Sequence, residues 1–121
     1  MNVLLWILQA LLALVFAAVG GLKLAVPKEK LLDKMGVLAH YPPLAIKAIG
    51  LVEVLGALGV LLTPFVGWGA LVPWAALGLA CVVIAAAFAH GEHGEWAKIA
   101  GPAVLLVVAV VVVYGRTVLP A

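Results

Sequence analysis

Four long apolar stretches determine what this chain can fold into. They cover approximately residues 3–22, 44–62, 71–89 and 99–118. Each is close to the ~20 residues with which an α-helix crosses the ~30 Å hydrocarbon layer of a bilayer. The last stretch is rich in valine, but a lone β-strand would leave its backbone groups unpaired in lipid, so a helix is favoured. The stretches therefore predict an all-α membrane protein, a four-helix transmembrane bundle in one domain that spans residues 1–121.

The composition excludes a soluble or a disordered chain. Residues of the AVILMFWYC set make up 68% of the sequence and charged residues 10%, whereas typical soluble chains are about 45–50% apolar and about 25% charged. So few charged side chains do not cover the surface of a small folded body. The lipid bilayer is therefore the expected solvent. Most of the positive charge lies in one segment, which argues against a nucleic-acid partner.

The segment between the first two stretches predicts a short helix at the membrane surface. From Pro27, which suits the first position of a helix, apolar and charged residues fall on different faces until Tyr41-Pro42-Pro43 ends the pattern. This separation is typical of amphipathic helices that lie among the lipid headgroups.

Basic residues predict the orientation of the bundle. The loops after the first and third stretches would share one side of the membrane. They carry or adjoin Lys23, Lys28, Lys30, Lys34, Lys47 and Lys98. The opposite side carries Arg116. By the positive-inside rule, the two basic loops lie in the cytoplasm and both termini lie outside.

Glu53, near the centre of the second stretch, is the main candidate for a ligand-binding residue. A charged side chain at the centre of a transmembrane helix costs roughly 2.5–3.5 kcal/mol on insertion scales, so such residues tend to face a partner or a cavity. Two interpretations stay open. Glu53 either makes a hydrogen bond to another helix, for instance to Gln9, or forms part of a site for a ligand, a lipid or a proton.

Small residues predict where helices pack closely, because they allow two backbones to approach each other. One set shares a helical face with Glu53, and the other repeats every four residues along the first helix. The sets are Gly50, Gly56 and Ala57, and Ala13, Ala17 and Gly21. We expect both faces to contact other helices.

The sequence shows no catalytic constellation and predicts no metal site. Its densest titratable cluster is the turn that holds His90, Glu92, His93 and Glu95, but this spacing is not that of a known metal motif. Cys81 is the single cysteine, which excludes an intrachain disulfide and a redox-active cysteine pair.

Several motifs resemble the DoxX-like family of small four-helix membrane proteins. They lie at residues 6–13, 20–24, 50–59 and 75–79, followed by the His90 that ends the third helix. The resemblance covers nearly the whole chain and implies a compact four-helix bundle. It also implies a ligand site, because Gln9, Lys23, Glu53 and His90 match polar positions that the family tends to carry.

The resemblance implies an accessory or anchoring membrane protein. The family takes its name from membrane subunits linked to thiosulfate oxidation with quinone as acceptor, and other members resemble accessory partners of oxidoreductases. The expected ligand is a quinone or a lipid beside Glu53. The expected partners are the bilayer of a bacterial inner membrane and either a redox enzyme or a second copy of the chain. The chain would be at most a non-catalytic subunit of an oxidoreductase.

Two other functions stay open. A small proton-coupled multidrug exporter that acts as a dimer has about this length, four helices and one membrane carboxylate. In such exporters, however, the acid belongs to the first helix, where this chain has Gln9. The other function is a membrane scaffold or an assembly chaperone without a ligand, as in distant animal relatives of the family.

Overall fold

The computed structural model describes residues 2–26, 41–92, 94 and 96–119. Within them lie four long α-helices: α1 (Asn2–Ala25), α2 (Pro43–Leu61), α3 (Val72–Glu92) and α4 (Ala100–Val118). Short 3-10 helices occupy Thr63–Val66, Gly69–Leu71 and Trp96–Ile99. All four long helices are long and apolar enough to cross a membrane. The predicted four-helix membrane bundle is confirmed, and the predicted helix ends differ from the observed ones by three residues or fewer. The surface helix predicted to begin at Pro27 lies outside the described residues.

Prolines mark where three of the helices begin. Pro43 is the first residue of α2, and Pro73 and Pro102 lie in the first turns of α3 and α4. The first turn tolerates proline because the N–H that proline lacks would have no partner within the helix. At the other end of α1, Lys47 Nζ donates a hydrogen bond to the carbonyl oxygen of Leu24 at 3.0 Å. This contact satisfies one of the carbonyls that a helix C-terminus leaves open.

The helices run antiparallel, and glycines set the distance between α1 and α2. A Cβ atom added to Gly20 would lie 2.7 Å from the carbonyl oxygen of Gly50, and one added to Gly50 would lie 2.8 Å from the carbonyl oxygen of Gly20. The two backbones therefore approach so closely that only glycine fits at either position. Gly56 packs against the side chain of Leu79 of α3. The prediction that the small face around Glu53 contacts other helices is confirmed.

The prediction for the small residues of α1 was wrong for Ala17 and Gly21. Ala13 is buried, but Ala17 is exposed, and a Cβ atom on Gly21 would meet none of the described residues within 4 Å. The interior face of α1 instead follows Leu5, Gln9, Leu12, Phe16 and Gly20. Hydropathy does not reveal this rotation, because the faces that meet lipid and the faces that meet other helices are both apolar.

The core fills the middle of the bundle and leaves a wide apolar surface. Leu12, Val60, Leu79 and Val112, one from each long helix, are fully buried. Large aliphatic side chains on all four helices point outward, among them Leu14, which is 67% exposed. Such an outer surface is suited to lipid and unsuited to water.

Candidate functional site

The Glu53 side chain forms an ion pair with Lys23. The Lys23 Nζ atom lies 2.6 Å from Glu53 Oε1, and the side chains are 11% and 3% exposed. The close contact between Gly20 and Gly50 explains the pairing, because it brings the end of α1 against the middle of α2. A Cβ atom on Gly20 would lie 3.0 Å from the Glu53 Cβ atom, and one on Gly50 would lie 2.8 Å from the Lys23 Cβ atom.

The ion pair lines a cavity of about 480 Å³ whose wall includes residues of all four helices. Most of its wall is apolar, and Phe16, Val83 and Leu105 contribute to it. Along α1 the lining extends from Val15 to Lys23. Eight residues of helix rise by about 12 Å. The cavity therefore reaches from the end of the bundle that holds the basic residues well into the transmembrane region.

The polar side chains of the wall lie at or next to helix ends that meet on this side of the bundle, except that of Glu53, which lies in the middle of α2. They are Lys23, Tyr41, Glu53, His90 and Lys98. His90 lies in the last turn of α3, whereas Tyr41 and Lys98 precede α2 and α4. The structure therefore brings together three of the four residues predicted from the resemblance. Of the titratable turn next to them, His93 and Glu95 lie outside the described residues.

Tyr41 and Lys98 were not among the predicted site residues. In the sequence, Tyr41 looks like part of a helix-breaking Tyr-Pro-Pro turn, and Lys98 looks like a charge that sets the topology. Their positions next to α2 and α4, on the side shared with Lys23 and His90, were the signal that could have placed them at the cavity.

Gln9 lies in a separate polar network near the chain termini. Its Nε2 atom donates to the carbonyl oxygen of Val60 at 2.8 Å, and its Oε1 atom accepts from Arg116 Nε at 2.5 Å. Gln9 is therefore not the hydrogen-bond partner of Glu53, and it does not line the cavity.

Arg116 organises this second network and was missed as a buried residue. Only 2% of it is exposed, and its Nη1 atom donates to Asn2 Oδ1 at 2.5 Å and to the Leu119 carbonyl at 3.0 Å. Its Cζ atom lies 5.2 Å from the centre of the Trp6 ring, within the range of a cation–π interaction. These contacts hold the start of α1 against the end of α4, so both described ends of the chain lie on one side of the bundle.

A family model shows what the chain is related to. The model of the DoxX-like family matches residues 7–112. The chain belongs to the DoxX-like family. The resemblance inferred from the motifs is thereby confirmed, and all four residues predicted from it fall within the matched range. Asn2, Trp6, Arg116 and Leu119 of this DoxX-like chain fall outside it, so the match does not include these four members of the terminal network.

No curated protein sequence matches the DoxX-like chain significantly, and neither does any solved structure. Its chemistry must therefore be argued from the residues of the cavity. The described residues contain no group of three or more His, Cys, Asp or Glu that could hold a metal ion. The arrangement in the cavity, an ion pair in an apolar wall, is suited to binding and orienting a molecule.

Proposed function

We propose that this DoxX-like protein is an accessory membrane protein that holds a quinone or a lipid in the cavity beside Glu53. One observation carries the proposal: a largely buried Lys23–Glu53 pair lines an otherwise mostly apolar cavity to which all four helices contribute. A cavity of about 480 Å³ has the size of typical small-molecule sites, which range from about 300 to 1,000 Å³.

The two parts of the cavity suit the two parts of an amphiphile. The apolar wall would bury a hydrocarbon or isoprenoid tail, and burial of apolar surface contributes roughly 25 cal/mol per Å². The polar side chains near one end would orient the head by hydrogen bonds, as the few polar groups of ligand pockets generally do. The ligand would then lie with its head toward the basic side of the bundle.

A partner enzyme would supply the redox chemistry in this account. The cavity wall presents groups that bind and orient, and the family resemblance implies a redox enzyme beside the bundle. We propose that the protein lies in a bacterial inner membrane with both termini outside. The positive-inside rule favours this orientation, because the loops assigned to the other side carry or adjoin six of the seven basic residues of the sequence. Co-purification in mild detergent, followed by identification of bound proteins, tests the partner.

A cavity-filling substitution tests the binding site. Ala86 of α3 lines the cavity, whereas Cys81 of the same helix is exposed and lies outside it. Quinones and lipids should raise the thermal stability of the wild type and of Cys81→Leu. They should no longer do so in Ala86→Leu, whose larger side chain would occupy the ligand volume. Equal responses in both variants would contradict binding in this cavity.

The variant Glu53→Gln and the wild type separate the alternatives. A proton-coupled exporter must release and rebind a proton at its membrane carboxylate in every cycle. Substrate-driven proton flux in vesicles that disappears in Glu53→Gln would therefore replace the accessory function by the exporter. If no quinone or lipid stabilises the wild type and no flux is measured, the protein acts as a scaffold or an assembly chaperone without a ligand.

A further inference from the structure

We infer that the cavity selects an amphiphile whose head is a hydroxyl group, such as a quinol or a long-chain alcohol, over one whose head is a carboxylate or a carbonyl. The inference rests on the proposed function, since it names the chemical class of the ligand that the same cavity would hold.

The remaining hydrogen-bonding capacity of the ion pair points to the chemistry of the head. Glu53 Oε1 accepts the hydrogen bond from Lys23, and the second carboxylate oxygen, Oε2, is a further acceptor of the same side chain. An ammonium group has three N–H donors, and that of Lys23 spends one of them on Glu53. Both side chains line the cavity. The pair therefore offers a ligand an acceptor and a donor side by side.

A hydroxyl group is complementary to this pair of sites. It is one donor and carries two acceptor lone pairs, so it donates to Glu53 Oε2 while it accepts from Lys23 Nζ. The new contacts add no charge to the cavity. The ion pair stays intact, and both of its members gain a hydrogen bond to the ligand.

Heads without an O–H group fit less well. A carbonyl only accepts, so it pairs with Lys23 and leaves Glu53 Oε2 without a donor. A carboxylate also only accepts, and it brings a second negative charge next to Glu53, where both would compete for the same ammonium group. In surroundings of low polarity, two adjacent carboxylates disfavour each other strongly.

The test compares probes that differ only in the head. Purified protein in nanodiscs is titrated with 1-dodecanol and with dodecanoate, and in a second pair with a decyl-substituted benzoquinol and the matching benzoquinone. We expect the wild type to bind each hydroxyl probe roughly tenfold or more tightly than its partner, because one unpaired buried polar group changes affinity by about this factor. A preference in both pairs identifies a quinol as a natural source, and a preference confined to dodecanol identifies a lipid alcohol. Equal affinity in the dodecanol–dodecanoate pair, or tighter binding of dodecanoate, would overturn the inference.

Glu53→Gln should reverse the preference. Its amide oxygen would accept the hydrogen bond from Lys23, and its NH₂ group would face the ligand as a donor. Lys23 and the new amide would then both face the ligand with donors, and the positive charge of Lys23 would no longer be balanced by Glu53, so dodecanoate should bind more tightly than dodecanol. The matched control is Lys47→Met, since Lys47 is exposed, caps α1 and lies outside the cavity wall. It should keep the wild-type preference.

Binding of the probes to Ala86→Leu distinguishes a failure of the hydroxyl inference from a failure of the proposed function. Suppose that Ala86→Leu blocks binding of the probes. If the wild type then prefers dodecanoate, or if Glu53→Gln prefers the same probe as the wild type, the hydroxyl inference fails and the proposed function stands. If no probe binds the wild type, or Ala86→Leu binds as the wild type does, the proposed function itself fails.

Discussion

Replacing Lys23 by methionine should destabilise the bundle far more than the same replacement of Lys47. Methionine keeps the length and the apolar stem of the lysine but removes the ammonium group that lies 2.6 Å from Glu53 Oε1. The Glu53 side chain is only 3% exposed, and its carboxylate would lose its partner. Removing one member of a buried ion pair typically costs about 3–5 kcal/mol. Because the Lys23 side chain keeps 11% exposure and the cavity can admit water to Glu53, we expect about 3 kcal/mol.

Replacing Glu53, the other member of the ion pair, by methionine should lower the free energy of unfolding by less. In Glu53→Met, the ammonium group of Lys23 loses its partner, but Lys23 lies two residues before the end of α1. A lysine in such a position can extend its side chain toward the headgroups. We expect a loss of roughly 1–2 kcal/mol, below the cost of a stranded buried charge.

The double variant Lys23→Met with Glu53→Met tests whether the two losses of stability arise from the same ion pair. Replacing both members of a buried pair by apolar residues is often neutral or stabilising. The two losses should therefore not add, and the double variant should be within about 1 kcal/mol of the wild type, a coupling of about 3 kcal/mol or more. Reversible unfolding in bicelles would measure the free energy of unfolding of the wild type, the two single variants and the double variant, with Lys47→Met as the exposed control. Additive losses, or a loss below about 1 kcal/mol in Lys23→Met, would refute the reasoning.

Three further predictions concern packing, the terminal network and topology. Gly50→Ala should lower the free energy of unfolding by about 1–3 kcal/mol, because its Cβ atom would lie 2.8 Å from a backbone oxygen of α1. Gly78→Ala, whose Cβ atom would lie in open space, should leave stability unchanged in the same unfolding assay. Arg116→Leu should cost about 1–3 kcal/mol for each buried acceptor that it orphans, and thermal denaturation that leaves it as stable as the wild type would show that the network is dispensable. Single cysteines at Lys98 and Leu119, in a Cys81→Ala background, should react with an impermeant reagent from opposite sides of the membrane, Leu119 from outside; labelling of both from one side would contradict the topology.

The sequence could predict the helices because length, hydropathy and proline positions determine them almost independently of tertiary contacts. Each apolar stretch must cross the bilayer as a helix, and Pro43, Pro73 and Pro102 mark where three of them begin. The rotation of each helix could not be predicted in the same way. Ala17 faces lipid and Gly20 faces α2, yet both are small residues in an apolar helix, and small residues are compatible with either environment.

The candidate site was predicted in part. The cost of a membrane carboxylate drew attention to Glu53, and the family resemblance added Lys23 and His90, which the structure places around the same cavity. Gln9 also came from the resemblance, but it lies toward the other end of the bundle because α1 separates it from Lys23 by 14 residues, or about 21 Å of helix. The pairing of Lys23 with Glu53 depends on how far α1 slides along α2, which the contact between Gly20 and Gly50 determines.

The central claim is that the cavity beside the Lys23–Glu53 pair holds a lipophilic molecule. Native mass spectrometry of the protein released from its own membrane tests it most directly. We predict that the wild type and Cys81→Leu each carry one bound amphiphile per chain, and that Ala86→Leu carries none. An empty wild type, or the same bound molecule in Ala86→Leu as in Cys81→Leu, would contradict the claim.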